Sequence, residues 1–309
     1  MKFHIIAAAT LFALLAAVPS FLGDAYSLRI GTTMLMYGIL AMSWNFIGGM
    51  AGYPSFATAA FFGLGAYAGA VLQKLGLPMI ASWMAAGLFA FVFAGILGMA
   101  LLRLRGHYFA IASLVVAEVI REAVNSATDL TGGGMGLNLP VPQMGSIEAQ
   151  AAYFFNAMLL ISAATFIALF VTSRSKLGFG LRCIQQNEAA ADMIGINATL
   201  YKTAAFMLSA VFVGVAGAAY ASWVHYIEPP DVFDTLYSVK PIVMVLLGGV
   251  GSVFGPILGA AAYLALEELV WRNYLSIHTG VLGLLIVLLV LFLPRGLLSL
   301  APRRWGMAP

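Results

Sequence analysis

The sequence predicts an all-α integral membrane protein, a polytopic helix bundle with about ten membrane segments. Hydrophobic residues make up 62% of the 309 residues, and charged residues make up only 9%. Soluble domains carry roughly 25% charged residues, so this composition is typical of a chain that lies mostly in lipid. Long apolar runs also alternate with short polar or glycine-rich breaks. We expect residues 1–309 to form a single transmembrane domain.

The apolar runs define the expected membrane segments, since about 20 apolar residues are needed to cross the hydrocarbon core. Single spans are predicted at residues 3–22, 28–47, 55–72, 79–102, 107–124, 151–172, 203–224 and 277–293. Residues 3–22, which follow Lys2, also fit a cleaved signal peptide, because the run ends near Val18-Pro-Ser20. We expect this run to be retained as a span. Gly63, Gly65 and Gly69 in the third span are expected to let helices pack closely.

Residues 238–271 are too long for one span and are interrupted by a glycine-rich sequence that ends at Pro256. We therefore expect a broken or re-entrant pair of segments, which is tolerated in a membrane where it is buried in protein or lines a cavity. A similar break follows the second span, and the two breaks together suggest an internal repeat around a central cavity. Loose packing turns are the alternative. The candidate pathway or hinge residues are Gly48, Gly49, Gly52, Gly248, Gly249, Gly251, Gly255 and Pro256.

Residues 173–202 form the one long polar loop, which we call the polar island. Charged residues are concentrated there, at Arg174, Lys176, Arg182, Glu188, Asp192 and Lys202. The spacing predicts a short amphipathic helix with an apolar stripe at Leu181, Ile184, Ala191 and Ile194. Gly178 and Gly180 are expected to loosen its start, and Gly195 to end it.

The distribution of basic residues predicts which side of the membrane each loop faces. If the N-terminus is cytoplasmic and the chain crosses in ten segments, ten of the fifteen Lys and Arg residues lie on the cytoplasmic side. The positive-inside rule favours this arrangement, with the polar island and the C-terminus in the cytoplasm. Loops 125–150 and 225–237 then face outward and expose five acidic residues as candidate contacts for an external partner, namely Asp129, Glu148, Glu228, Asp231 and Asp234.

The sequence contains none of the usual catalytic or metal-binding motifs. His-Glu-x-x-His, paired cysteine and Gly-x-Ser-x-Gly patterns are missing, and no nucleotide-binding P-loop occurs. We therefore expect no enzyme activity, metal or cofactor on this chain, and no nucleic-acid partner is needed to explain its net charge of +3. No predicted span carries an acid–base pair near its middle, which favours a passive conduit over an ion-coupled transporter.

Five stretches, in order along residues 28–298, resemble the LivM-type permeases of branched-chain amino acid importers. Residues 181–197 read Leu181-Arg-Cys-Ile-Gln-Gln-Asn-Glu-Ala-Ala-Ala-Asp-Met-Ile-Gly-Ile-Asn197, are followed by Tyr201-Lys202, and resemble the cytoplasmic coupling loop of that family. The other matching stretches are Ala59–Tyr67, Leu102–Ile111, Leu130–Leu137, and the closing segments Val245–Ala260 with Phe292–Leu298.

The resemblance implies a permease subunit of an ATP-binding-cassette importer for leucine, isoleucine and valine, located in the bacterial inner membrane. Its implied partners are a homologous second permease, two ATPase subunits and a periplasmic solute-binding protein. The residues implied to couple to the ATPase are Arg182, Ile184, Asn187, Glu188, Ala189, Ala190, Met193, Ile194 and Gly195.

One segment departs from the family pattern. The family usually has Gly-Gln-x-Ser-x-Gly-His before the third span, whereas this chain has Gly52-Tyr-Pro-Ser-Phe-Ala-Thr58. If this segment lines the pathway, the cargo could instead be urea, an amide, another amino acid or an aromatic acid. A stand-alone channel or facilitator is the alternative from another functional class, and the lack of catalytic motifs argues against a membrane-embedded enzyme.

Overall fold

The computed structural model describes residues 24–141, 145–273, 280, 283 and 296–300, and most of these residues are helical. The spans predicted at 3–22 and 277–293 lie outside this part of the chain, apart from Gly280 and Gly283. The count of ten segments therefore stays a prediction. The elements are α1 (Ala25–Trp44) with a π-helical extension (Asn45–Gly49), α2 (Thr58–Lys74), α3 (Met79–Leu101), α4 (His107–Ser126), α5 (Thr128–Thr131), a 3-10 turn (Gly133–Met135), β1 (Leu137–Asn138), α6 (Ile147–Arg174), α7 (Lys176–Gln186), α8 (Glu188–Met193), α9 (Ala198–Val224), β2 (Tyr226–Ile227), α10 (Pro229–Val232), α11 (Leu236–Gly248), α12 (Gly255–Asn273) and a second 3-10 turn (Leu297–Leu300).

Polar caps extend several helices beyond the apolar runs that predict them. The Ser146 hydroxyl accepts a hydrogen bond from the Ala149 amide, so α6 begins at Ile147 and not at residue 151. The Asn197 side chain accepts one from the Leu200 amide and begins α9 five residues before the predicted span. Four helices in the described part are long and apolar enough to cross a membrane, namely Ala25–Gly49, Met79–Leu101, Ile147–Arg174 and Ala198–Val224.

The centre of the bundle is α9, which packs against α2 and α3 through small residues. A Cβ atom added to Gly65 would lie 2.2 Å from the carbonyl oxygen of Gly214, and one added to Gly69 would lie 2.6 Å from the Cβ of Ala218. Two backbones can approach this closely only where side chains are absent or minimal. The predicted close packing of helices is confirmed at Gly65 and Gly69, while Gly63 lies against the ring of Phe233.

The two ends of the bundle carry different structures. We call one the loop end, where residues 127–141 and 225–235 meet and β1 pairs antiparallel with β2 through Leu137 with Ile227 and Asn138 with Tyr226. We call the other the island end, which contains α7 and α8. The 27 residues of α9 separate the two ends by about 40 Å.

The predicted broken pair is present as α11 and α12, two antiparallel helices joined by residues 249–254. A Cβ added to Gly248 would lie 1.8 Å from the Gly255 carbonyl oxygen, so the helices almost touch beside the turn. Nearer the loop end, the Lys240 ammonium lies 2.8 Å from the Glu267 carboxylate. The chain therefore enters the bundle from the loop end and returns to it, as a re-entrant pair does.

Because of the close contact at Gly65, we expect one added methyl group there to reduce the stability of the protein strongly. Gly65→Ala places a Cβ against the backbone of α9, and we expect it to lower the Tm of the purified protein in detergent by several degrees, since overpacking costs about 1–3 kcal/mol. Gly38→Ala is the matched control, because a Cβ there meets nothing within 4 Å. Its Tm should be unchanged or higher. Equal effects of the two substitutions would contradict the packing described for α2 and α9.

Candidate functional site

The polar island forms two helices, so the prediction of one helix is wrong. α7 ends at Gln186 and α8 begins at Glu188, with Asn187 between them in an extended conformation. The Asn187 side-chain oxygen accepts a hydrogen bond from the Ala190 amide at 3.1 Å. Asparagine is among the strongest N-cap residues, so it begins a new helix here and interrupts the first one.

The end of α8 is a Schellman motif centred on Gly195. The Ile196 amide donates to the Ala191 carbonyl at 3.0 Å, and the Gly195 amide donates to the Asp192 carbonyl at 3.0 Å. Gly195 has φ +85°, a conformation that residues with a side chain rarely adopt. The predicted stop is confirmed, and it fixes the direction in which the chain leaves α8 toward α9.

The glycines at the start of the island pack tightly and do not loosen it. A Cβ added to Gly178 would lie 2.2 Å from the Thr172 carbonyl oxygen, and one added to Gly180 would lie 2.3 Å from the Tyr201 ring. The expectation of a loose start is therefore wrong, because both positions are contact points with α6 and α9. Arg182 also strengthens this junction, since its guanidinium donates to the backbone carbonyls of Gly178 and Ser173.

The island presents one buried and one exposed apolar surface. Leu181, Ile184 and Ala191 are buried against the bundle, whereas Ile194, which the helical stripe groups with them, is 67% exposed. Met193 beside it is 83% exposed. Ala189 and Ala190 are also exposed. Of the predicted coupling residues, Ala189, Ala190, Met193 and Ile194 form an exposed tip at α8, whereas Ile184 is buried and not available to a partner.

A buried ion cluster holds α8 to the bundle. Lys202 at the start of α9 is 1% exposed. Its ammonium donates to Tyr53 Oη at 3.0 Å, to the Leu102 carbonyl at 3.0 Å and to Glu188 Oε1 at 2.9 Å. An ammonium has three protons to donate, so all three are used.

Glu188 completes the cluster from the first turn of α8. Its Oε2 accepts a hydrogen bond from the Tyr53 hydroxyl, and the Arg105 guanidinium lies 3.7 Å from Oε1, the oxygen that Lys202 also contacts. Burial of this group favours the neutral acid, but the hydrogen bonds from Tyr53 and Lys202 and the charges of Lys202 and Arg105 outweigh it and hold the pKa of Glu188 below its usual value. The cluster is therefore an ionised pair with a tyrosine bridge.

Sequence reasoning did not find Tyr53 and Lys202 as partners of Glu188. Tyr53 lies in the segment that departs from the family pattern, and the structure places it at the island end beside Lys202. The available signal was a lysine directly before a long apolar run, because a charge beside the membrane core requires partners.

The two glycine-rich breaks contact each other, also toward the island end. The Asn45 side-chain amide donates to the Ser252 carbonyl at 2.8 Å, and its oxygen accepts from the Gly251 amide at 3.0 Å. A Cβ added to Gly49 would lie 2.9 Å from the Gly251 nitrogen. The Gly49 carbonyl in turn accepts from Gln185 of α7 at 3.2 Å. The breaks are thus packed turns that connect α1, the re-entrant pair and the island.

The five acidic residues proposed for external contacts all lie at the loop end. Asp129, Glu148, Asp231 and Asp234 are exposed, and Glu228 is half-buried. The Asp234 carboxylate also accepts a hydrogen bond at 2.9 Å from the amide of Leu236, the first residue of α11. In the described residues, no three His, Cys, Asp or Glu side chains are grouped as metal ligands.

Comparison with known proteins assigns the chain to a family. Residues 26–293 match the family described as the permease component of the branched-chain amino acid transport system. The chain belongs to this family. Its members are transport components, which agrees with the apolar helices of a multi-pass membrane protein.

Individual relatives match along most of their length. The high-affinity branched-chain amino acid transport system permease protein LivM of Salmonella typhimurium is 30% identical, covering 89% of this chain and 70% of that protein. LivM of Escherichia coli is 28% identical, and the match covers 93% of this chain and 73% of that protein. A second permease protein, LivH of Salmonella typhimurium, is 25% identical. The match covers 85% of this chain and 91% of LivH. No solved structure matches this permease.

The ion cluster predicts a non-additive response to mutation. Lys202→Met removes the ammonium that contacts Glu188, Tyr53 and the Leu102 carbonyl, and we expect a loss of about 3 kcal/mol in the free energy of unfolding, since breaking a buried ion pair is strongly destabilising. The double variant Lys202→Met with Glu188→Met should recover a large part of that loss. The measurement is Tm in detergent.

Arg121→Met provides the control for the cluster variants. It removes one partner of the exposed Glu118–Arg121 pair on α4, where the charged atoms are 2.7 Å apart, and should cost less than 1 kcal/mol. If the double variant loses as much stability as Lys202→Met and Glu188→Met lose separately, added together, Lys202 and Glu188 do not act as one unit.

Proposed function

We propose that this permease forms part of the translocation pathway of an ATP-binding-cassette importer for leucine, isoleucine and valine in the bacterial inner membrane. The observation that supports this most directly is the structure of α8. It is a short capped helix with an exposed apolar tip, and a buried ion cluster attaches it to the bundle. Family membership supports the transport role, and the names of the LivM and LivH relatives support the cargo.

The attachment of α8 explains how a force on its tip would reach the pathway. Glu188 connects α8 to Lys202 on α9, and Lys202 connects to Leu102 at the end of α3 and to Tyr53 between α1 and α2. Packed elements shift between discrete arrangements and do not deform smoothly. A push on α8 would therefore be passed to three other parts of the bundle together.

The docking surface that we propose for the ATPase consists of Ala189, Ala190, Met193 and Ile194. Exposed methionine and isoleucine at the end of a membrane protein fit an apolar groove on a soluble partner. Glu188 and Arg182 are already bonded within the subunit, so we assign them to holding α8 in place. Arg105, whose side chain is exposed beside Glu188, is a better candidate for a charged contact at the rim.

We assign the island end to the cytoplasm and the loop end to the periplasm, from the distribution of Lys and Arg. Exposed acids at the loop end would then meet a solute-binding protein, and a homologous second permease would complete the pathway. Tyr53 of the departing segment 52–58 is used in the ion cluster, so a structural role explains this residue without a change of cargo to urea, amides or aromatic acids.

Affinity purification tests this assignment most directly. Tagged permease extracted from its native membrane should bring a second homologous permease and an ATPase that contains a P-loop. Met193→Asp should lose the ATPase and keep the second permease, because a carboxylate would be buried in the proposed groove. Purified permease that alone carries leucine through liposomes would support a facilitator and contradict the importer.

Substitution of Gly195 is expected to uncouple leucine uptake from ATP hydrolysis without loss of folding. Gly195→Val forces a β-branched residue into φ +85°, which changes how the chain leaves α8. We expect leucine uptake to fall at least about tenfold while ATP hydrolysis continues, since a cost of about 1–3 kcal/mol at such a backbone position is enough to displace α8.

Gly76→Val is the matched control for this variant. Gly76 has φ +93° and, like Gly195, has nothing within 4 Å of an added Cβ, but it lies at the loop end between α2 and α3. It carries a similar backbone strain and should keep uptake and hydrolysis coupled. Unchanged uptake by Gly195→Val, with normal amounts in the membrane, would remove α8 from the coupling mechanism.

A further inference from the structure

A cavity of about 640 Å³ opens at the loop end between α1, α9, α11 and α12. Pockets that hold small molecules usually have volumes of about 300–1,000 Å³. Tyr26 and Tyr37 both line it and are eleven residues apart on α1, a distance of about 16 Å along the helix. The cavity is therefore an elongated groove that leads from the loop end into the bundle.

Four charged side chains line this groove, and their formal charges cancel. Lys240 of α11 and Glu267 of α12 are partly buried and form an ion pair at 2.8 Å, with the Lys240 ammonium 5.3 Å from the centre of the Tyr37 ring. Glu268 accepts a hydrogen bond from the Tyr26 hydroxyl at 3.0 Å. Arg29 of α1 is exposed and lines the same groove.

The rest of the wall is aromatic and aliphatic. Tyr37 stacks on Tyr237 with ring centres 5.9 Å apart, and Tyr220 contacts Tyr237 at 6.3 Å and Trp223 at 6.1 Å. Met34 and Leu264 add flexible and branched apolar surface. Such a wall offers a rigid apolar surface together with hydroxyl groups.

We propose that this groove is a binding site in the permease for a zwitterionic amino acid with an apolar side chain, a proposal that rests on the proposed function. Arg29 and Lys240 would bind the carboxylate, and Glu267 would bind the ammonium group. The aromatic wall would hold the side chain. The Lys240–Glu267 pair opens to accept the two charges of the ligand, so each charge exchanges one partner for another.

The balance of charges explains which solutes this groove would reject. A zwitterion adds one charge of each sign, so every ion in the groove keeps a partner. A solute with only a cationic or only an anionic group would leave one protein charge partly buried and unpaired, which is costly. A neutral amide carries no charge, so it can hydrogen-bond to Lys240 or Glu267 but cannot replace the ion pair that would have to open to admit it.

Photolabelling tests both the position and the ligand class. The probe is a leucine analogue with a diazirine in its side chain, added to the whole importer in lipid nanodiscs with the subunits that co-purify. We expect adducts in residues 220–224 and 236–240 after proteolysis and mass spectrometry. L-leucine should compete about tenfold better than leucinamide or 4-methylpentanoate, because each of these lacks one charged group and thus one charge-assisted hydrogen bond.

Two variants test the assigned charges. Glu267→Gln and Arg29→Gln should each lower labelling about tenfold, the effect expected for loss of one hydrogen bond to a charged group. If the importer with Glu267→Gln fails to assemble, Arg29→Gln alone tests the assigned charges, because Arg29 is exposed and its substitution should not disturb folding. Glu118→Gln on α4, outside the groove, is the control and should label normally.

The possible results separate this site from the proposed function. The site is wrong if the adducts lie elsewhere, if the three compounds compete equally, or if both variants label normally. In each of these cases, leucine uptake by cells that express the importer would still support the proposed function. If those cells import urea or an amide and no leucine, the branched-chain cargo is wrong and this proposal is wrong with it.

Discussion

A lysine ammonium buried at the start of a membrane helix is the constraint on which the island end depends. Lys202 is 1% exposed, and a charge at such a place persists only where acceptors surround it. Those acceptors come from α8, from the end of α3 and from the loop between α1 and α2. The same three hydrogen bonds that stabilise the charge therefore also set the position of α8 relative to the bundle.

Glycine contacts provide the rigidity that such an attachment needs. α2 and α9 touch at Gly65 and Gly214, and the re-entrant helices touch at Gly248 and Gly255. Asn45 then connects the turn of the re-entrant pair to the end of α1. Movement of one element would thus be transmitted to its neighbours, because little free volume is left at these points to absorb it.

Much of the fold follows from the apolar runs. The helix Met79–Leu101 matches its predicted span within one residue, because lipid-crossing length and composition are local properties. The re-entrant pair and the turn at Gly195 were also predicted, from glycine and proline positions. The errors in the island had two causes: capping by Asn187 divided the predicted helix, and tertiary contacts with α6 and α9 explain Gly178 and Gly180, which were expected to loosen the chain.

The sequence by itself determined the membrane class, the approximate position of most of the described long helices and the polar island, since each depends on residues close together in the chain. Only the tertiary structure decided which charges meet. Tyr53 and Lys202 are 149 residues apart, and Lys240 and Glu267 are 27 apart on different helices. The packing of the helices determines which residues at such separations come into contact, and this cannot be predicted from residue spacing along one helix.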